Sequence, residues 1–182
     1  MSKKVLVPIA DGSEELEAVA IIDCLRRAGA DLKIASVQNQ QIMTSRKIKI
    51  TADCLIKDWV HEIFDLIVLP GGMPGAEHLR DCKELADMLK KQKESNRFYA
   101  AICASPAVVF KYHGLLDGKK ATCYPAMTGV LNNKEAIAQR VVVDGNCITS
   151  QGPGTALEFS LKLVELLFGL EKSRELAKAM LV

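Results

Sequence analysis

The feature that most constrains this chain is its opening unit. An apolar run from Val5 to Ala10 is broken by Asp11-Gly12-Ser13, a helical pattern covers Glu14 to Ala28, and a second apolar run spans Leu32 to Val37. Leu16, Val19, Ala20 and Leu25 are among the apolar positions of the helix, and Gly29 stops it. Two strands joined through a helix cross over right-handed and pair in parallel, so the start of the chain already predicts an α/β fold. The strongest buried strand follows at Ile63 to Leu69, apolar except for Asp65, and it ends in Pro70-Gly71-Gly72.

The rest of the pattern extends this plan. Gln41 to Thr51 alternates around Ile42, Ile48 and Ile50 and predicts a small antiparallel ribbon. Cys82 to Ser95 has helical spacing at Leu85, Ala86 and Leu89, with a lysine-rich outer face. Phe98 to Ile102 reads as a strand, Pro106 to Tyr112 as a short helix and Ala121 to Cys123 as a further strand. Arg140 to Val143 and Cys147 to Ser150 flank Asp144-Gly145, a hairpin signal. Gln151 to Thr155 is a turn before a helix at Ala156 to Phe168, with Leu157, Leu161, Val164 and Leu167 expected inward, and Glu171 to Leu181 is the last helix. With no repeat, linker or low-complexity tract, residues 1–182 are expected to form one domain.

A chain of 182 residues can bury a core without metal or disulfide staples. The net charge of +2 is mild and its lysines and arginines are dispersed, so nothing calls for nucleic acid or an anionic membrane as the main partner. The first apolar run is too short for a signal-peptide core or a membrane span, and a cytoplasmic location is expected. The six cysteines contain no C-x-x-C pair. None of His61, His78 and His113 has ligand spacing with another, so they read as surface residues, and neither a metal nor another cofactor is expected.

The chemistry is expected at the strand ends. In Ala100-Ala101-Ile102-Cys103-Ala104-Ser105-Pro106 a buried strand stops at a thiol, and Ser105 followed by Pro106 predicts a hydroxyl cap and a first helical turn. Positive potential at a helix mouth favours thiolate, which makes Cys103 the candidate nucleophile. Glu14 and Glu15, at the start of the first helix, are read as dipole-stabilising carboxylates. Glu17, among apolar neighbours, is read as an inward carboxyl of raised pKa that can donate to a thiolate or shuttle a proton. The glycines after Leu69 let a backbone N–H approach a developing oxyanion, and Gly71 or Gly72 with Ala104 would form the hole.

Four segments carry a resemblance: Gly12 to Glu17, Val68 to Ala76, Ala100 to Pro106 and Thr149 to Thr155. Together they resemble the ThiJ/PfpI superfamily, and more narrowly its Parkinsonism-associated, YajL-like subgroup. The resemblance implies a flavodoxin-like three-layer sandwich, a homodimer, and a reactive cysteine at a nucleophile elbow. By position Cys103 matches the nucleophile, Glu17 its protonated partner, Gly72 and Ala104 the oxyanion donors, and Arg46 an arginine near the dimer interface. Gly71, Tyr124, Ser150 and Gln151 are expected around them. Tyr124 stands where many members carry histidine, and a phenol is a poor base at neutral pH. Gln151 stands where some relatives carry arginine. Because Ala104 follows the cysteine and only His113 lies downstream, the protease and amidotransferase branches are disfavoured. The activity implied is cofactor-free conversion of methylglyoxal-type aldehydes to hydroxy acids, or deglycation. The alternative is a non-enzymatic sensor of oxidative stress, or a chaperone, operated by oxidation of the same cysteine.

Overall fold

In a computed structural model, which describes residues 2–131 and 135–182, the chain forms an α/β sandwich. The elements in order are β1 (Lys4–Ile9), α1 (Glu15–Arg27), β2 (Asp31–Ser36), β3 (Gln41–Met43), β4 (Lys49–Thr51), β5 (Cys54–Leu55), β6 (Leu66–Leu69), α2 (Gly75–Asp81), α3 (Lys83–Glu94), β7 (Phe98–Ile102), β8 (Val141–Asp144), β9 (Cys147–Ser150), α4 (Ala156–Phe168) and α5 (Leu170–Ala179). The main sheet has seven strands in the order β5-β2-β1-β6-β7-β9-β8, parallel except where β8 meets β9, and β3 and β4 form a separate antiparallel ribbon. Helices α1, α4 and α5 pack together, while α2 and α3 form a second group against β6, β7 and the helical turn at Pro106–Phe110.

This topology follows from the apolar runs. Every residue of β6 is buried, as are Tyr99 to Ile102 of β7, so both faces of the central strands need helical cover. The register Leu69↔Ala101 between β6 and β7 brings the turns that follow them to one edge. The turn after β1 lies beside them, because Gly72 packs against Gly12, Ser13 and Glu14. Three strand ends therefore converge, the place where open parallel sheets build their sites. No described helix is long and apolar enough to cross a membrane.

Several expectations need correction. Ala121 to Cys123 joins no sheet, since the Thr122 N–H bonds the Thr149 hydroxyl (2.9 Å) instead of a strand backbone. Helix α2 has no counterpart in the sequence pattern, being seven residues that start directly after a glycine-proline turn. The strand expected from Ile63 begins at Leu66, because the Asp65 carboxylate accepts the Lys4 N–H and closes the ladder there. Leu157 points outward, and the inward face of α4 is Ala156, Phe159, Ser160, Leu163, Val164 and Leu167. His78 and His113 are half-buried, bonded to the carbonyls of Asp11 and Arg80, and His61 alone is a surface residue as expected.

Candidate active site

Cys103 follows β7 directly, with φ +65, a left-handed conformation that a side chain adopts only when the surroundings hold it there. Two backbone bonds do so. The Cys103 N–H donates to the Ser150 carbonyl at the end of β9 (3.0 Å), and its own carbonyl accepts the Tyr124 N–H (2.8 Å). Using the Cys103 N–H in this way leaves the next one, Ala104, to face the sulfur, and the Gly72 N–H joins it from the neighbouring loop. The two donors expected for an oxyanion are thus brought together around the thiol.

Glu17 lies in the first turn of α1 and is fully buried. One carboxyl oxygen accepts the Gly71 N–H at 2.7 Å, and the carboxyl also meets the Cys103 thiol. Gly71 is required here by space. A Cβ on it would stand 2.6 Å from Cys103 Cβ, 2.9 Å from the Ala104 nitrogen and 3.0 Å from Glu17 Oε2. Gly72 has φ +90 and no room for a side chain against the Gly12 carbonyl and Glu14 N–H.

Burial raises the Glu17 carboxyl to about 7, against the pull of the Gly71 N–H and the thiol, with the Glu14 charge adding to the rise. Burial and the adjacent Glu17 charge push the Cys103 thiol up to about 12, while the Gly72 and Ala104 N–H groups pull it down. Burial and the Glu17 charge thus oppose the backbone N–H groups at the sulfur, so the thiol titrates together with its carboxyl partner. Carboxyl and thiol form one coupled pair that releases its first proton near neutrality.

Ser105 is not the predicted cap. Its dihedrals are helical, and its buried hydroxyl donates instead to the Pro70 carbonyl at 2.6 Å. Glu14 proves to be the N-cap of α1, accepting the Glu17 N–H at 2.7 Å. Glu15 does more than serve the helix dipole. Its buried carboxylate accepts from the Ser45 hydroxyl (3.0 Å) and the Arg46 N–H (3.2 Å), anchoring the turn between β3 and β4 to α1.

The thiol opens into a cavity of about 380 Å³ lined by Glu14, Arg46, Met73, Tyr124, Met127 and Pro153 among others. Cys103 itself is 9% exposed, at the floor. Tyr124 is half-exposed and its ring lies against Gly152, so it forms a wall of the cavity. Ser150 is buried behind the thiol, its hydroxyl bonded to the Arg140 carbonyl and to Thr155, and it acts through its carbonyl. Gln151 turns away to donate to the Ile137 carbonyl (3.1 Å) and does not line the cavity. Met73, Met127 and Pro153 are lining residues that sequence reasoning misses, since apolar loop residues carry no chemical signature. A larger groove of about 470 Å³, lined in part by Val60, Phe64 and Met88, contains no cysteine. Among the described residues no group of three or more His, Cys, Asp or Glu side chains is arranged to hold a metal ion.

Sheet, elbow and converging turns define a flavodoxin-like α/β protein built around a buried thiol–carboxyl pair. The chain belongs to the DJ-1/PfpI family, whose model matches residues 3–166. It is 56% identical over 180 residues to the Arabidopsis thaliana protein DJ-1 homolog B, an alignment covering 98% of this chain and 41% of that protein. The chain thus spans less than half the length of that relative. A Caenorhabditis elegans relative named glutathione-independent glyoxalase DJR-1.2 is 35% identical, with 97% of this chain and 94% of that protein covered. The solved structure of oxidized Toxoplasma gondii DJ-1 superposes with a TM-score of 0.95 at 47% identity, covering 99% and 98% of the two chains.

Proposed function

We propose that this chain is a cofactor-free glyoxalase that converts 2-oxoaldehydes of the methylglyoxal type to 2-hydroxy acids, with Cys103 as nucleophile. The observation that carries the reading is the fully buried Glu17 carboxyl in contact with a thiol that also faces two backbone donors. Above about 7 the pair has lost one proton, and the charge is best solvated on sulfur, where the Gly72 and Ala104 N–H groups point, while Glu17 keeps the other proton. The thiolate attacks the aldehyde carbon and Glu17 protonates the oxyanion, giving a hemithioacetal. The resulting carboxylate removes the hydrogen from that carbon and delivers it to the neighbouring carbon, while the proton of the hemithioacetal hydroxyl passes to the former ketone oxygen, leaving a thioester next to an alcohol. One carbon is oxidised to the thioester level and the next reduced to an alcohol, so no external electron acceptor is needed. Water cleaves the thioester to release the hydroxy acid and regenerate the thiol.

The worm relative's name supports this reading at the level of the family. A second reading is oxidation of Cys103 by peroxide to a sulfinate, whose oxygens the same N–H groups and a protonated Glu17 would hold. It is favoured by the Toxoplasma relative, whose solved structure is of an oxidized protein. The partner expected under either reading is a second copy of the chain. Leu16 and Val19, one turn apart on α1, and Ile48 beside the Arg46 turn are each more than half-exposed. The test is conversion of methylglyoxal to lactate, resolved by enantiomer, without glutathione or metal. A single enantiomer, lost in Cys103→Ser, supports the enzyme. Negligible turnover alongside rapid peroxide oxidation of Cys103 overturns it in favour of the sensor.

A further inference from the structure

The mechanism uses Cys103, Glu17 and two backbone donors but gives no task to Ser105, which is fully buried two residues past the thiol. Its position bears on how the two donors are held. The β6–β7 ladder ends at Leu69↔Ala101, and beyond it the two segments stay packed, Gly71 against Cys103 and Ala104, without strand pairing to fix their register. Gly72, with one donor, lies two residues after Pro70, and Ala104, with the other, lies one residue before Ser105. Gly71 is tied to α1, its N–H to Glu17 and its carbonyl to the Glu14 N–H, so neither bond spans to the elbow. The Ser105 hydroxyl does span, reaching the Pro70 carbonyl at 2.6 Å.

We propose that Ser105 is a positioning residue whose hydroxyl fixes the loop carrying the Gly72 N–H against the elbow carrying the Ala104 N–H, setting both donors around the Cys103 sulfur. It rests on the reading of Cys103 as nucleophile and adds a residue to that site. A capping role for the hydroxyl is excluded by geometry, since Ser105 makes no side-chain cap bond and has helical dihedrals. Donors stabilise a developing charge only when preorganised, and displacement on the order of an ångström is enough to forfeit most of the effect.

The test compares Ser105→Ala, Ser105→Thr and Ser105→Val with a remote control, Ser173→Ala, which removes a similar hydroxyl–carbonyl bond from Ser173 to Leu161 (2.8 Å). Two quantities are read: the pH midpoint of Cys103 alkylation by iodoacetamide, and methylglyoxal turnover. In Ser105→Ala the midpoint should rise by about half to one pH unit, the equivalent of weakening one hydrogen bond to a charged sulfur. Its kcat should fall about tenfold with KM within about twofold, as for an interaction made mainly in the transition state. Threonine should restore both and valine, of the same shape, should not, which isolates the hydroxyl from packing. An unmoved midpoint in Ser105→Ala and Ser105→Val, or an equal rise in Ser173→Ala, overturns the proposal. If the wild type does not turn over methylglyoxal, the glyoxalase reading fails while the alkylation profile still decides the role of Ser105.

Discussion

Replacing Glu17 by glutamine should make this protein more stable while abolishing the proposed turnover, and the gain should grow as pH rises from about 5 to about 7. The carboxyl is fully buried, and burial raises its ionisation from 4.5 to about 7. Between those values the folded protein holds a proton that the unfolded chain has released. Stability therefore falls as pH rises through that window and levels off above it. The gap corresponds to a penalty of about 3 kcal/mol at pH 8 and under about 1 kcal/mol at pH 5. Glutamine retains an oxygen for the Gly71 N–H and has no acidic proton to hold, so it escapes the penalty. For a chain of this size the difference at pH 8 amounts to roughly 6–12 °C in melting temperature. Denaturant and thermal unfolding of both proteins at pH 5, 6, 7 and 8 provides the assay. The two stability curves should nearly meet at pH 5 and separate by pH 8, with the variant higher. Curves that run parallel across this range would refute the account of Glu17 as a buried, proton-holding carboxyl.

Gly71→Ala would drive a methyl to within 2.6 Å of Cys103 Cβ. It should cost about 1–3 kcal/mol of stability from overpacking and about a hundredfold in turnover from the displaced elbow, and a folded variant with normal kinetics would sink the steric argument. Alkylation of Cys103, followed by mass mapping, should accelerate as pH passes about 7, where the pair releases its first proton. Cys123, pushed up to about 11 by burial, should remain inert there, and equal labelling of the two would contradict the coupling. Leu16→Glu, placed on the exposed apolar face of α1, should convert a dimer to a monomer by light scattering. A wild type that is already monomeric at micromolar concentration would remove that face as an interface.

Much of the site is legible because strand ends are legible. Apolar runs stopped by Asp11-Gly12, Pro70-Gly71 and Cys103 mark where strands leave the sheet, and parallel pairing sends those ends to one edge. Glu17 stands out as a carboxyl among apolar neighbours, and it is buried. What the sequence does not convey is direction. Ser105 before Pro106 has the composition of a cap, yet its hydroxyl serves the neighbouring loop, because three-dimensional proximity to Pro70 outcompetes the local bond. Gln151 follows the strand end β9 but faces Ile137, and Leu157 falls on the outer side of α4 although it fits the apolar spacing. Likewise, local potential at a helix mouth favours a thiolate at Cys103, while burial and a second acid oppose it, and neither can be read from the residues around the cysteine.

The central claim is a division of labour in which Cys103 binds the aldehyde covalently and Glu17 moves the proton. Its most direct test is carbon-13 NMR of Glu17→Gln mixed with methylglyoxal labelled at the aldehyde carbon, beside the same variant also carrying Cys103→Ser. The account predicts a protein-bound hemithioacetal signal that disappears with the cysteine, and no lactate, because glutamine can position the thiol but cannot shuttle a proton. Lactate produced at the wild-type rate, or a bound signal that survives removal of Cys103, would contradict it.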